Sequence, residues 1–328
     1  MSSTRHRLIQ LLSENEDTYI SGQLLSEQLD ISRNAVWKHM NELKKDGYEI
    51  EGKAKLGYKI ISYPNKVSEN TISWGLQTEW LGRRIVHYET TASTQRIAHE
   101  LALDGAKHGT IVIADEQTEG KGRVGRHWQS EQGKGIWMSI ILRPNILPYL
   151  APQLTLLTAT VLAEVIDELS EVTPQIKWPN DILIEGKKMS GILTEMQAEQ
   201  DQISYVIIGM GININQDATD FVDEVSNRAT SLKIKTKQTW DMVRLIQQIL
   251  QKFETKYDQF IDRGFQDVKV KWESYGFRMN EQLTITTGND TWTGIFAGIA
   301  EDGALLIERD GTLQKIYSGE IAWFEGGN

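Results

Sequence analysis

The sequence predicts an α+β protein in three parts: a small helical unit ending in a β-ribbon, a central α/β unit with a mixed sheet, and a small SH3-like C-terminal β-barrel. Capped helices come first and are followed by two segments in which polar and apolar residues alternate. Helical patterns and apolar strands then follow one another along the chain. The last part consists of short segments of alternating polar and apolar residues joined by Asp-Gly turns. A chain of 328 residues is long enough for two or three domains. We expect the boundaries to fall at residues 1–65, 66–275 and 276–328.

The first unit shows the pattern of a winged helix-turn-helix. An apolar helical face at residues 8–12 precedes a short capped helix at residues 21–29. Ser32 is a favourable N-cap for a helix over residues 33–45, because its side chain can accept a hydrogen bond from a free N–H of the first turn. Residues 48–61 then alternate as two short strands, which predicts the ribbon, or wing.

Local charge favours DNA binding by this unit, although the whole chain carries a net charge of −10. Residues 31–60 hold seven Lys and Arg against four Asp and Glu. The first turns of the second helix meet base edges and phosphates when such a helix enters the major groove. The expected DNA-binding residues are Ser32, Arg33, Asn34, Trp37, Lys38, Lys53 and Lys55. A protein-interaction module with solvated lysines is the alternative.

Composition excludes several classes of site. With no cysteine in the chain, disulfides and thiolate metal sites are impossible, which fits a reducing cytoplasm. The six histidines fit no metal-ligand spacing. The N-terminal residues show no signal-peptide core, and no uninterrupted apolar run reaches the ~18 residues of a membrane span. We therefore expect a cytoplasmic protein that does not enter the membrane.

The rest of the chain alternates strands and helices. Strands are predicted at residues 111–114, 137–142, 192–196 and 205–209, and helices with apolar stripes at 154–169 and 242–253. The polar residues 62–71, with Pro64-Asn65, predict a linker. Asp302-Gly303 and Asp310-Gly311 predict hairpin turns in the C-terminal unit.

Residues 120–126, Gly-Lys-Gly-Arg-Val-Gly-Arg, form the most informative segment. Glycines let a ligand approach the backbone and its N–H groups, and the cations can neutralise a phosphate or a carboxylate. The segment fits the dinucleotide pattern G-x-G-x-x-G, but residues 135–142 look like a strand where that site needs a helix. A Walker loop also fails, since no Gly-Lys-Ser/Thr follows. A flexible solvated loop is the alternative.

Three further segments are candidates for chemistry. Residues 177–181, Lys-Trp-Pro-Asn-Asp, present an amide beside a carboxylate, although a backbone-capping turn would use the same residues. Residues 186–191 place two lysines beside glycines, which is also typical of a solvated turn. Residues 209–215 hold two glycines after a strand, which suit either a structural turn or the close approach of a flat ligand.

Taken together, these segments resemble the biotin protein ligase family, and specifically its bifunctional bacterial branch. The resemblance covers essentially the whole chain, and the N-terminal winged helix separates this branch from ligases that lack one. The motifs occur in the family's order and spacing: Ser93-Thr94-Gln95, Gln117, residues 120–126, Trp128, and residues 177–181, 188–191 and 209–213.

The resemblance implies a two-step reaction with biotin and ATP as substrates and Mg²⁺ carried on the ATP phosphates. The biotin carboxylate attacks the α-phosphate to give biotinyl-5′-adenylate and pyrophosphate. A lysine of a biotin carboxyl carrier protein, of the acetyl-CoA carboxylase or pyruvate carboxylase type, then takes the biotin. The resemblance also implies repression at operator DNA by a homodimer.

The resemblance assigns roles to individual residues, and it implies no resident metal site. The residues expected to bind biotin are Ser93, Thr94, Gln95, Gln117, Lys121, Gly122, Arg123, Trp128, Lys188 and Gly191. Those expected to bind ATP or the adenylate are Arg126, Lys177, Asn180, Asn213 and Arg228, the last stacking on adenine. The expected catalytic residues are Arg123, Lys188 and Asp181. For Ser93, N-capping of the following helix is the alternative role.

Three other functions stay open at this point. A lipoate-type acyl ligase resembles this family in fold, but the pairing of residues 120–126 with residues 177–181 argues against it. A ligand-sensing repressor without catalysis is disfavoured by intact Arg123, Lys188 and Asp181. The third is a ligase whose N-terminal unit no longer binds DNA.

Overall fold

The computed structural model describes residues 4–15, 17–64, 66–288 and 290–322. The N-terminal unit contains the predicted order of helix, helix, turn, helix and ribbon. Its helices are α1 (Thr4–Ser13), α2 (Gly22–Leu29) and α3 (Arg33–Lys45), and its antiparallel strands are β1 (Glu49–Lys53) and β2 (Gly57–Ser62). The winged helix-turn-helix pattern is confirmed.

Local capping sets the position of the second helix of the motif. The Ser32 side chain accepts a hydrogen bond from the Ala35 N–H at 3.2 Å, as the sequence predicted. Val36 and Met40 of α3 enter a core shared with α1 and α2, while Trp37, which lies outside this buried face, is 60% exposed. The buried side of the helix is therefore packed in the core, and its polar first turns face solvent.

The linker is shorter than the sequence predicted. Part of residues 62–71 belongs to α4 (Glu69–Ser73), which begins where the Ser68 side chain accepts the Thr71 N–H at 3.2 Å. Trp74 follows α4 and is buried, with its ring centroid 6.0 Å from that of Tyr48 in the N-terminal unit. Apolar burial thus continues past the predicted boundary. Asn65 lies outside the described residues, and the three domain boundaries stay predictions.

The central unit is a mixed seven-stranded sheet in the order β3-β4-β5-β9-β8-β7-β6, with β3 and β4 parallel and the other pairs antiparallel. The strands are β3 (Ile85–Thr91), β4 (Thr110–Gln117), β5 (Gly135–Leu142), β6 (Pro174–Lys177), β7 (Asp181–Ile184), β8 (Lys187–Glu199) and β9 (Gln202–Asn213). The helices are α5 (Thr94–Leu103), α6 (Ala151–Leu169), α7 (Asp223–Ser226), α8 (Leu232–Thr236), α9 (Met242–Arg263) and α10 (Gln266–Tyr275). Each predicted strand and apolar helix of this unit is confirmed.

The two faces of this sheet are covered differently. Alternate strand residues such as Ile140 pack into the main core with α6 and α9, while their neighbours such as Ile141 pack under α5. The segment Pro148–Leu169 meets the length and hydropathy of a membrane span, and 78% of its apolar window is buried in the fold. Its apolar composition is explained by its place in the core.

The C-terminal unit is one antiparallel sheet in the order β13-β12-β11-β10-β14. Its strands are β10 (Gln282–Thr287), β11 (Asp290–Ile299), β12 (Leu305–Arg309), β13 (Thr312–Ile316) and β14 (Glu320–Ile321). Both predicted Asp-Gly turns are confirmed, and Asp310 and Gly311 have the positive φ values, 52° and 72°, of a two-residue hairpin turn. Closure into an SH3-like barrel stays a prediction.

Candidate functional site

A large cleft opens on the sheet face that carries α5, between the sheet, residues 120–131 and the C-terminal unit. Its volume is about 1460 Å³, which exceeds the roughly 300–1,000 Å³ of a pocket for one small molecule. The residues predicted to bind biotin or nucleotide all line it. They are Ser93, Thr94, Gln95, Gln117, Lys121, Gly122, Arg123, Arg126, Trp128, Lys177, Asn180, Lys188, Gly191, Asn213 and Arg228, with the predicted catalytic Asp181 beside them.

Small residues form the floor of the cleft. Ser139 of β5 lies opposite Gly209 of β9, and Gly191 of β8 lies opposite Gly211. A Cβ at Gly211 would lie 2.5 Å from the Trp128 indole, and one at Gly191 would lie 3.0 Å from it. Glycine is required here because a flat ring packs directly on the strand backbone.

One end of the cleft holds a buried network of neutral polar groups. Gln117 Oε1 accepts hydrogen bonds from the N–H of Thr94 at 2.8 Å and from its hydroxyl at 3.1 Å. Gln117 Nε2 donates to the Ser130 hydroxyl at 2.9 Å, and the Thr94 and Ser139 hydroxyls lie 2.9 Å apart. These bonds fix donors and acceptors where a flat polar ring would find them already oriented.

Ser93 occupies the N-cap position of α5 but does not cap it. Its side chain makes no capping hydrogen bond, and the residue is only 2% exposed. The capping alternative for this serine therefore receives no support, while its place in the lining agrees with the predicted ligand contact.

The glycine-rich segment reaches across the cleft as a strained turn. Residues Arg123–Gly125 form one 3₁₀ turn in which Val124 has φ 54° and is 86% exposed. An Arg123 N–H donates to Asn180 Oδ1 at 3.2 Å, and Arg126 forms an ion pair with Glu320 of β14. The two arginines thus tie this segment to the central unit and to the C-terminal unit, which contributes directly to the rim of the cleft.

A cluster of charges lies between the segment and the sheet. The Asp181 carboxylate is 2.7 Å from Lys188 Nζ and 3.7 Å from Lys177 Nζ. Burial lowers the pKa of Lys177, while the nearby Asp181 carboxylate opposes that change. With Arg123 close by, this part of the cleft carries an excess of positive charge and favours an anionic ligand.

Lys188 is also positioned by its neighbours. Its ammonium lies 5.2 Å from the centre of the Trp128 ring, within range of a cation–π interaction. Its backbone bonds to Arg228 and Thr230, which holds residues 228–230 along the cleft. Asn213 Nδ2 donates to the Thr230 carbonyl at 3.1 Å, so this amide supports that segment as well as lining the cleft.

Sequence reasoning missed four residues of the site. Ser130 and Ser139 complete the neutral network. Of the two, only Ser139 carried a signal in the sequence, because it places a hydroxyl within an otherwise apolar strand. Glu195 bonds Gln95, and Glu320 bonds Arg126. Neither glutamate belongs to a local pattern, because each meets its partner across a long stretch of chain.

The predicted DNA-binding residues lie together at the first turns of α3 and on the wing. Ser32, Arg33, Asn34, Trp37 and Lys38 are exposed, and so are Lys53 and Lys55 of the wing. Lys53 Nζ lies 3.3 Å from Glu51 and 4.9 Å from the centre of the Tyr19 ring, which orients it along the ribbon. These residues therefore share one exposed surface, and their contact with DNA stays a prediction.

Comparisons with known proteins identify the same three units. The chain matches the Biotin/lipoate A/B protein ligase family over residues 87–213, an HTH domain over 4–59 and the Biotin protein ligase C terminal domain over 279–322. It is 47% identical over 320 residues to Bifunctional ligase/repressor BirA of Bacillus subtilis, covering 98% of each chain. The BirA of Escherichia coli is 28% identical over 316 residues, 96% of each chain.

A solved structure agrees with this assignment. A biotin protein ligase from Aquifex aeolicus in complex with biotin and ATP superposes with a TM-score of 0.64 at 31% identity, covering 73% of this chain and 97% of that one. The predicted resemblance is confirmed, and the chain belongs to the biotin/lipoate protein ligase family, in the branch of bifunctional ligase/repressors.

Proposed function

We propose that the cleft performs ATP-dependent biotinylation in two steps, and that the N-terminal unit represses transcription in response to biotin. The chain is a biotin protein ligase with a helix-turn-helix repressor domain. The observation that carries the assignment of the site is the cleft itself, where a neutral hydrogen-bonding network and a cationic cluster adjoin over a floor of glycines. Such a cleft suits one ligand with a polar ring at one end and a phosphate at the other.

The first step joins the biotin carboxylate to the α-phosphate of MgATP, which enters as substrate. The side chains of Ser93, Thr94 and Gln117 hold the ureido ring, and the chain of biotin runs past Trp128 towards Lys188. Two anionic groups must approach each other, so Lys188 stabilises the oxygens that gain charge as pyrophosphate leaves. Arg123 and Arg126 turn from their present partners to the phosphates.

Asp181 serves both steps in turn. In the free site its carboxylate holds Lys188 at 2.7 Å. Once Lys188 has turned to the ligand, the same carboxylate is available to orient the ε-amine of the carrier lysine. That amine attacks the carbonyl carbon of the mixed anhydride, the amide forms and AMP leaves. An oriented amine and a polarised anhydride suffice, so the second step needs no nucleophilic side chain.

Replacing Asp181 by Asn tests the two roles of this carboxylate, towards Lys188 and towards the carrier amine. We expect transfer to the carrier protein to fall about tenfold more than adenylate formation, because orientation of the amine is lost while Lys188 keeps its charge. Single-turnover measurements on preformed adenylate separate the two rates. Equal losses in both steps would contradict the role of Asp181 towards the amine.

We propose that biotinyl-adenylate couples ligation to DNA binding. Binding of the adenylate orders residues 120–126 and favours a homodimer, whose two winged helices then meet two half-sites of a palindromic operator. The protein acts in the cytoplasm, where carrier proteins and operator are both accessible, and does not enter the membrane. Analytical ultracentrifugation with and without biotin and MgATP tests the coupling, and an unchanged monomer–dimer equilibrium would contradict it.

Mass spectrometry of the small-molecule products tests the enzymatic assignment. Incubation with biotin, ATP and Mg²⁺ should yield biotinyl-adenylate, which should be absent when any one component is omitted. Lipoate in place of biotin should give far less adenylate. A folded protein that binds biotin but forms no adenylate would instead be a ligand-sensing repressor.

A further inference from the structure

Glu195 of β8 holds the side-chain amide of Gln95 from behind the cleft. Gln95 Nε2 donates to Glu195 Oε2 at 2.9 Å. We propose that Glu195 is a positioning residue for biotin binding, which fixes Gln95 so that its amide oxygen faces the ligand and accepts an N–H of the ureido ring. This inference rests on the proposed function, since it assumes that biotin occupies the cleft.

The surroundings of Gln95 allow one orientation of its amide. Besides Glu195, the carbonyl oxygens of Leu193 and Ile207 lie 3.4 Å from Nε2, so three acceptors surround the nitrogen. A flipped amide would place its oxygen against these acceptors and would leave them without a donor. The oxygen therefore points the other way, into the cleft.

The position of the amide oxygen confirms that it belongs to the floor of the cleft. Gln95 Oε1 accepts a hydrogen bond from the Ser139 hydroxyl at 3.1 Å. It also lies 2.5 Å from where a Cβ of Gly209 would stand, so it sits directly on the strand. Gln95 as a whole is only 5% exposed. An acceptor fixed at this depth is suited to a buried N–H donor of a ligand.

Glu195 is itself held in place, by the next turn of the same helix. His99 lies four residues after Gln95 and therefore on the same side of α5. His99 Nε2 lies 3.2 Å from Glu195 Oε2, and His99 Nδ1 lies 3.3 Å from the Tyr205 hydroxyl. One carboxylate oxygen thus accepts from both turns of α5, which joins this helix to the edge of the cleft floor.

Glu195 acts on the ligand only through Gln95. Its side chain is 45% exposed, and among the described residues it is not part of the cleft lining. A substitution there removes no contact with biotin or ATP. Any selective change in biotin affinity therefore reports the position of the Gln95 amide.

Two substitutions at Glu195 test the inference in the full-length protein. Glu195→Ala removes the acceptor, and we expect the biotin Kd to rise about tenfold, as for loss of a hydrogen bond to a charged group. The ATP KM and the kcat at saturating biotin should stay at wild-type values. Glu195→Gln keeps an acceptor oxygen, so its biotin Kd should stay within about twofold of wild type. Glu199→Ala, an exposed glutamate of the same strand, is the matched control.

A second readout follows the Gln95 amide directly. In NMR spectra of the ligand-free protein, the two side-chain N–H resonances of Gln95 should be shifted and protected from hydrogen exchange in wild type and Glu195→Gln. In Glu195→Ala, where only the more distant Leu193 and Ile207 carbonyls remain, the shift and the protection should both decrease. A biotin Kd unchanged by Glu195→Ala, or a parallel loss of biotin and ATP binding, would overturn this inference but would leave the proposed function standing. Wild-type protein that binds no biotin would instead overturn the proposed function.

Discussion

The two ends of the cleft differ in how their polar groups are satisfied before any ligand arrives. At the end beside α5, neutral groups such as Thr94, Gln117 and Ser139 bond to one another in a buried network. At the other end, Lys188 and Arg126 pair with carboxylates of the protein itself. The first arrangement can receive a neutral ring without moving, whereas the second must exchange its partners.

This difference separates binding from chemistry. A preformed neutral network loses little conformational entropy when it receives a ring, so it contributes mainly to affinity. Cations held by internal carboxylates keep their charge in the empty cleft, yet they can turn to phosphate oxygens when these arrive. Substitutions at the first end should therefore change the biotin Kd, and substitutions at the second should change rates or ATP binding.

The largest effect is expected at Lys188, which belongs to the cationic end. Replacing it by Met keeps an unbranched side chain of nearly the same length but removes the charge that offsets the approaching anions, and adenylate formation should fall about 10³-fold. The biotin Kd should change far less. Pre-steady-state adenylate formation measures the rate, and calorimetry measures the Kd. Lys187→Met, the preceding residue on β8, is the control and should behave as wild type.

Gly211 lies where the two ends meet, under the Trp128 ring. A Cβ there would lie 2.5 Å from the indole, so Gly211→Ala must displace the ring and with it the adjoining residues 120–126. Adenylate formation should fall on the order of 10²-fold, as a displacement of about 1 Å costs in active sites. Combining Gly211→Ala with Trp128→Phe should recover part of the rate, because the smaller ring can retreat. A double variant no faster than Gly211→Ala would show that the ring is not the cause.

The sequence predicted the parts of the fold that are determined locally. The start of α3 follows from the Ser32 cap, and the turn between β12 and β13 follows from Asp310-Gly311. The cleft lining followed from the family resemblance, since its motifs are contiguous segments.

Contacts between distant segments were beyond the reach of that reasoning. The bond from Gln95 to Glu195 spans 100 residues, and the ion pair of Arg126 with Glu320 spans 194. Exposed glutamates are common, so neither was distinguishable from a solvated charge without the fold. The linker was predicted too long because the burial of Ile72 and Trp74 depends on tertiary packing.

Replacing Ser139 tests the neutral end of the cleft. Ser139→Ala removes the hydroxyl that bonds Thr94 and Gln95, and the biotin Kd should rise about tenfold while the kcat at saturating biotin stays unchanged. Ser190→Ala is the matched control, because this serine is equally buried in the same sheet but donates to the Gly211 carbonyl from outside the cleft lining. An equal loss of biotin affinity in both variants would show that the effect comes from the sheet rather than from the network.

The smallest effect is expected at Glu320, and its sign is the informative part. In the free cleft this carboxylate pairs with Arg126, so it competes with the phosphates of ATP when they arrive. Both side chains are largely exposed, so solvent screens their attraction. Glu320→Gln should therefore lower the ATP KM by about twofold, the scale of an exposed ion pair, and the difference should vanish as salt is added. Steady-state kinetics at two ionic strengths measure it. Glu308→Gln removes the same charge from an exposed position on β12 and should leave the ATP KM unchanged. A higher ATP KM in Glu320→Gln would mean that the carboxylate positions Arg126 for the phosphates, and the cationic end would then be preformed like the neutral one.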